Sequence, residues 1–142
     1  MLETILIDAG PLIALFDRDD HYHRRIVEFI KDRPYQFVTT QAVLTEVSHM
    51  LDFNVNARIA FFEWVMSKGV VIEEIGQDDI PQIVALIKQY RNVSMDFADA
   101  TLMTVAQKKR LNSIISFDSN FSVYRLPGNV ILETVPKPNP IS

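Results

Sequence analysis

Thr4-Ile5-Leu6-Ile7-Asp8-Ala9-Gly10-Pro11 is the stretch that decides the architecture. Its first four residues are short, apolar and rich in β-branched side chains. Such a run reads as a strand covered on both faces, the kind found inside a parallel sheet. Asp8 follows where the strand should end, and Pro11 suits the first turn of a helix expected over residues 12–16.

Working outward, the same alternation recurs. Asp19 or Asp20 is placed to cap a helix that carries Ile26, Val27, Phe29 and Ile30 on one face and stops at Arg33-Pro34. Residues 36–39 read as a second strand, and 42–51 and 56–67 as helices, with Gly69 as the C-cap of the latter. Residues 70–75 read as a third strand. A helix through Ile80, Ile83, Val84 and Ile87 starts at Asp78 or Asp79, and another runs from Asp96 to about Lys109. Residues 113–116 read as a fourth strand and 130–132 as a fifth. Strands that alternate with helices predict an α/β fold, a three-layer α/β/α sandwich around a mostly parallel sheet of four to five strands. No repeat or internal linker interrupts it, so one domain is expected over residues 1–135, followed by a Pro-rich tail at 136–142.

Composition narrows the class. The 142 residues are 48% hydrophobic, which suits a folded domain with a real core. There is no cysteine, so disulfides and thiolate metal sites are excluded and a cytoplasmic setting is the expectation. The first seven residues carry no basic stretch or long apolar run, so no signal peptide is expected, and no apolar run is long enough to span a bilayer. A net charge of −4 argues against a basic nucleic-acid scaffold. It does not argue against an enzyme whose acids hold cations, because a bound cation inverts the local charge.

Four carboxylates stand in unusual places. Asp8 and Asp118 each follow a predicted strand, which puts both at the sheet edge where ligands bind in open α/β folds. Glu46 shares a helix face with Ala42, Val43 and Met50, and Asp99 shares one with Met95, Leu102 and Met103. Charges on apolar faces are costly unless paired or bound to metal. Each acid also has a plainer structural account. Asp8 can cap the helix at Pro11, Asp96 can cap its own helix with Asp99 in the first turn, Asp118 can form an Asx turn with Asn120, and Glu46 can pair with a Lys or Arg. For Asp96 the cap is preferred. Taken together, two strand ends and two helix faces point to convergence. Two carboxylates about 5 Å apart repel by roughly 3 kcal/mol at an effective dielectric near 20, so a cluster of four demands a cation. All-oxygen ligands favour Mg²⁺ or Mn²⁺.

The same blocks carry a family resemblance. Residues 6–15, Leu6-Ile7-Asp8-Ala9-Gly10-Pro11-Leu12-Ile13-Ala14-Leu15, resemble the opening strand, acid and short helix of PIN domains, the fold of the toxins in VapBC-type toxin–antitoxin pairs. Thr39-Thr40-Gln41-Ala42-Val43-Leu44-Thr45-Glu46-Val47 resembles the second block and Asp96-Phe97-Ala98-Asp99-Ala100-Thr101-Leu102 the third. Ser116-Phe117-Asp118-Ser119-Asn120-Phe121 resembles the last, with Ser116 where the family usually has Thr and Asn120 where it often has a second Asp. The resemblance spans nearly the whole chain. It implies a metal-dependent endoribonuclease that uses Asp8, Glu46, Asp99 and Asp118, with Asp96, Ser116 and Asn120 as auxiliaries. It also implies an RNA substrate, a cognate antitoxin and a homodimer.

Other chemistries find less support. His21 and His23 do not share a helix face and are expected at the surface. Glu46 and His49 match half of a di-iron element, but no second half exists. No Walker loop, Gly-x-Gly-x-x-Gly or Gly-x-Ser-x-Gly occurs among only four glycines. The basic runs at Lys108-Lys109-Arg110 and around Arg24-Arg25 are expected to be solvated helix surface. Residues 59–66, with Phe61, Phe62 and Trp64, are expected in the core with some surface exposed. Two alternatives remain for the whole chain: a catalytically quiet module that holds RNA or a protein segment, and a structure-specific DNA nuclease of the same fold.

Overall fold

The opening run forms β1 (Glu3–Ile7), whose last three residues are almost wholly covered, as a central strand requires. The computed structural model describes residues 2–32 and 34–130, and the backbone of 133–135. After β1 come α1 (Ala9–Phe16), α2 (His23–Asp32), β2 (Tyr35–Thr40), α3 (Gln41–Met50) and α4 (Val55–Met66). Then follow β3 (Val70–Glu73), α5 (Ile80–Gln89), α6 (Phe97–Lys109), β4 (Ser113–Ile115) and β5 (Glu133–Val135). The five strands form one sheet in the order β3-β2-β1-β4-β5, and every pairing is parallel. Helices lie on both of its faces, which makes the predicted α/β/α sandwich.

The strand order positions the site. From β1 the chain moves outward through β2 and β3 on one side, then returns to lay β4 and β5 on the other. Leu6 is paired with both Val38 and Ile114, so β1 is the hinge of this reversal. Connections leaving β1 and β4 diverge to opposite sides and open a crevice at their carboxyl ends. The ladder reaches into it: the Asp8 N–H donates to the Ile115 carbonyl at 3.0 Å.

Several expectations are corrected. The fifth strand is at Glu133–Val135, later than the expected 130–132. Val130 instead bridges Leu126 across a tight turn with Gly128 and Asn129 at positive φ, while residues 131–132 and the expected tail at 136–142 lie outside the described residues. The third strand ends at Glu73 rather than at 75. On α4 only Phe61 is fully buried; Val55, Ile59, Phe62 and Met66 recur every three to four residues on an outward face. Sequence hydrophobicity cannot distinguish such a stripe from a core stripe. Lys108, Lys109 and Arg110 are exposed at the end of α6, as the plainer account expects, and beyond that account Lys108 pairs with Asp79 at 3.2 Å and Lys109 with Glu73 at 3.6 Å. Among the described residues no helix is long and apolar enough to cross a membrane.

Candidate functional site

The crevice is built from hydrogen bonds that fix carboxylates. Asp8 caps α1 by accepting the Ala9 N–H at 2.8 Å, while its other oxygen accepts the Ser116 hydroxyl at 3.0 Å. The Ser116 oxygen in turn accepts the Asp118 N–H at 3.0 Å, so one buried serine aligns two acids from adjacent strands. Asp118 accepts the Asn120 N–H at 2.9 Å in an Asx turn, which opens a short 3₁₀ helix (Ser119–Ser122). Asp96 caps α6 through the Asp99 N–H at 2.8 Å. Asp99 sits in the first turn of α6 and accepts the Tyr124 hydroxyl at 2.7 Å. Thr40 at the end of β2 contacts Thr101 oxygen to oxygen at 2.8 Å, which ties α6 to the sheet beside Asp99.

One carboxylate oxygen from each of Asp8, Asp99 and Asp118 lies within 4.8 Å of the others. The groove around them has a volume of about 280 Å³ and is lined also by Gly10, Glu46, Asp96 and Phe117. Glu46 and Asp96 are exposed and stand at its rim. The structure thus brings the four expected acids to one groove, with three of them close enough to share an ion and Glu46 outside that set. Ser116 touches the acids directly. Asn120 does not line the groove, and its side chain reaches the Tyr124 hydroxyl instead. The plainer accounts of Asp8, Asp96 and Asp118 also hold, because all three are caps. Capping alone does not explain five carboxylates around one groove.

Electrostatics separate the two readings. Burial raises the Asp8 pKa from 3.8 to about 6, against the bonds from Ala9 and Ser116 and with help from the charges of Glu46 and Asp118. Burial raises Asp99 from 3.8 to about 7, opposed by Tyr124 and reinforced by Asp96, Asp8 and Asp118. Glu46 is raised by burial and then by Asp96 and Asp118. The charges acting on all three are other carboxylates. Tyr124 is fully buried and is pushed up by burial and by Asp99, so it remains a protonated donor. Hard oxygen donors that converge and repel one another fit a divalent cation of the Mg²⁺ or Mn²⁺ class.

Sequence reasoning missed Tyr124. It lies 25 positions from its partner and, as one more aromatic residue, carries no signal of a polar role. The core-like face expected for Glu46 is half right: Val43 is buried, but Met50 is 51% exposed, so this face opens to solvent beyond the groove. His21 is exposed as expected, whereas His23 is half-buried with Nδ1 2.7 Å from the Ala14 carbonyl. Neither lines the groove. His49 faces a different cleft, between α3 and α4, and so does not join Glu46.

Known proteins share this arrangement of elements. Ribonuclease VapC26 of Mycobacterium tuberculosis is 23% identical over 135 residues, which is 93% of this chain and 100% of VapC26. The crystal structure of M. tuberculosis VapC20, a sarcin–ricin loop cleaving toxin, matches with a TM-score of 0.76 and 24% identity over 84% of this chain and 93% of that one. A toxin–antitoxin complex from Klebsiella pneumoniae matches with a TM-score of 0.64 and 23% identity over 92% of this chain and 99% of that one. The PIN domain profile matches residues 5–126, from β1 through the acids of β1, α3, α6 and the turn after β4. With this strand order and these matches, the chain belongs to the PIN-domain family.

Proposed function

We propose that this protein is a Mg²⁺- or Mn²⁺-dependent endoribonuclease that hydrolyses RNA phosphodiester bonds as the toxin member of a toxin–antitoxin pair. The observation that carries the reading is the convergence of Asp8, Asp99 and Asp118 within 4.8 Å on the crevice of a PIN fold. Asp8, Asp99 and Asp118 would hold the cation, which when bound supplies Lewis acidity to a phosphodiester and lowers the pKa of water. Ser116 keeps Asp8 and Asp118 in register, and Tyr124 keeps one Asp99 oxygen turned away from solvent. Glu46, at the rim with its pKa raised, orients the attacking water and takes its proton on the carboxylate. In-line attack forms the new P–O bond as the P–O3′ bond breaks. The products are a 5′-phosphate and a 3′-hydroxyl, and the leaving oxygen takes a proton from solvent. VapC26 is named a ribonuclease, and a relative solved as a toxin–antitoxin complex supports an antitoxin partner. A homodimer and a cytoplasmic location complete the proposal.

The test is cleavage of labelled single-stranded or loop RNA with Mg²⁺ or Mn²⁺. Activity should vanish in EDTA and fall at least a hundredfold in Asp8→Asn, because a neutral amide is a poor ligand for a hard cation. His49→Ala should cleave normally. Full activity in EDTA, or products ending in cyclic phosphates, would overturn this reading; preference for DNA would favour the DNA-nuclease alternative.

A further inference from the structure

We propose that Phe117 forms a nucleobase subsite beside the acids, buttressed by Tyr22, and that it stacks an unpaired base of the RNA strand being cut. The inference rests on the nuclease reading above and adds to it the position of a base.

Phe117 lies between Ser116 and Asp118, so the hydrogen bonds that align those residues also fix its backbone. Its half-buried ring lines the same groove as Asp8, Asp99 and Asp118. Tyr22 stacks on it with ring centroids 4.3 Å apart and planes 24° apart, and the His21 ring meets Tyr22 edge-on at 4.9 Å. The loop bearing these rings is anchored: Asp20 accepts the Tyr22 N–H at 2.8 Å, and the His23 ring is held at the Ala14 carbonyl. Phe117 is therefore backed and oriented before any ligand arrives, which lowers the ordering cost of stacking.

Gly10 supplies the second observation. It sits in the first turn of α1, and its backbone is not in the left-handed region, so no conformational demand explains a glycine there. Glycine weakens a helix relative to alanine. A methyl group at this position would lie 3.6 Å from Phe117 Cδ2, an ordinary contact that the fold accommodates. Its absence leaves the ring edge open where Gly10 and Phe117 both line the groove. Tyr22 covers one face of the ring, and a base laid on the other would extend past the edge that Gly10 leaves unobstructed. Such stacking tolerates any base sequence.

The test uses short single-stranded RNA with one 2-aminopurine at successive positions, in Ca²⁺ to slow cleavage. Wild type should quench the fluorophore at one position. Phe117→Leu should lose the quenching and bind the RNA about tenfold more weakly, Phe117→Trp should retain both, and Mn²⁺ affinity measured by calorimetry should change less than twofold in either. Gly10→Ala should melt at the same or a higher temperature while binding the RNA several-fold more weakly. A purely structural ring contact does not produce those opposite signs, and this variant also keeps the proposal testable if Phe117→Leu fails to fold. Quenching at no position by wild type, or wild-type binding by both Phe117→Leu and Gly10→Ala, would overturn the subsite. Unimpaired cleavage by Asp8→Asn would overturn the nuclease reading instead.

Discussion

Tyr124 and Ser116 do for the acids what outer-shell partners do in metal sites: each donates to a carboxylate oxygen and so fixes the direction in which that carboxylate faces. The acids at strand ends were legible in sequence because a charge directly after an apolar strand is anomalous. Tyr124 was not, since a buried tyrosine looks like any core aromatic until its hydroxyl is seen to point at Asp99. Its role can be measured. Removing the hydroxyl in Tyr124→Phe takes away the donor that opposes the rise in the Asp99 pKa. The Asp99 pKa should then climb further, and a cation must compete with a more tightly held proton. Calorimetric titration with Mn²⁺ near pH 7 should show affinity about tenfold weaker than wild type. The deficit should shrink by pH 9, where Asp99 is ionised in both proteins. Equal affinities across this range would reduce Tyr124 to a packing residue.

Among the elements, those set by hydrophobic period and strand-end punctuation were legible: β1, β2, the helices and the parallel order of layers. What was not legible depended on contacts with distant partners. The fifth strand lies beside β4 by tertiary pairing rather than by a strong local signal, and the outward stripe of α4 looks apolar whichever way it faces. The end of α4 shows the limit most clearly. Gly69 was expected to supply the left-handed residue of the cap, but that residue is Lys68, at φ 66°. The Gly69 N–H reaches the Trp64 carbonyl at 2.8 Å and the Lys68 N–H the Val65 carbonyl at 2.9 Å, the two bonds of a Schellman motif. Gly69 is required for another reason: a Cβ there would lie 2.1 Å from Trp64 Cε2. Lys68→Gly should therefore stabilise the protein by about 1 kcal/mol by relieving a left-handed side chain, whereas Gly69→Ala should destabilise it by roughly 1–3 kcal/mol by forcing the indole aside. Urea titrations of the two variants should move the midpoint in opposite directions. A loss of stability in Lys68→Gly would refute this account of the cap.

For the whole molecule, the acids meet only because the chain reverses direction at β1. Asp8 and Asp118 come from adjacent strands, Glu46 from α3 and Asp99 from α6, so the unfolded chain does not hold them together. Their repulsion and burial therefore belong to the native state. Asp8 at about 6 and Asp99 at about 7 both exceed the ordinary 3.8, so the native state holds more protons than the unfolded chain across this window. Without metal, that contribution to stability is complete below about pH 4 and is lost as pH rises through 6 and 7. For Asp8 alone it amounts to a few kcal/mol. Divalent cations that bind the ionised groups of the native state should reverse the trend, adding about 2.7 kcal/mol at a hundred times the dissociation constant. Asp99→Asn separates this account from a purely structural one. Its amide oxygen still accepts the Tyr124 hydroxyl, while the charge is gone. Near pH 7 in EDTA the variant should melt no lower than wild type, and in Mn²⁺ it should gain less. If Asp99 served only as a favourable first-turn residue of α6, the variant would melt lower in EDTA and gain the same increment from Mn²⁺. Melting curves of both proteins at pH 5 and pH 7, in EDTA and in Mn²⁺, distinguish the two. The metal-dependent increment of wild type should grow between the two pH values as Asp8 and Asp99 give up their protons, and a pH-independent increment would remove both from the cation site.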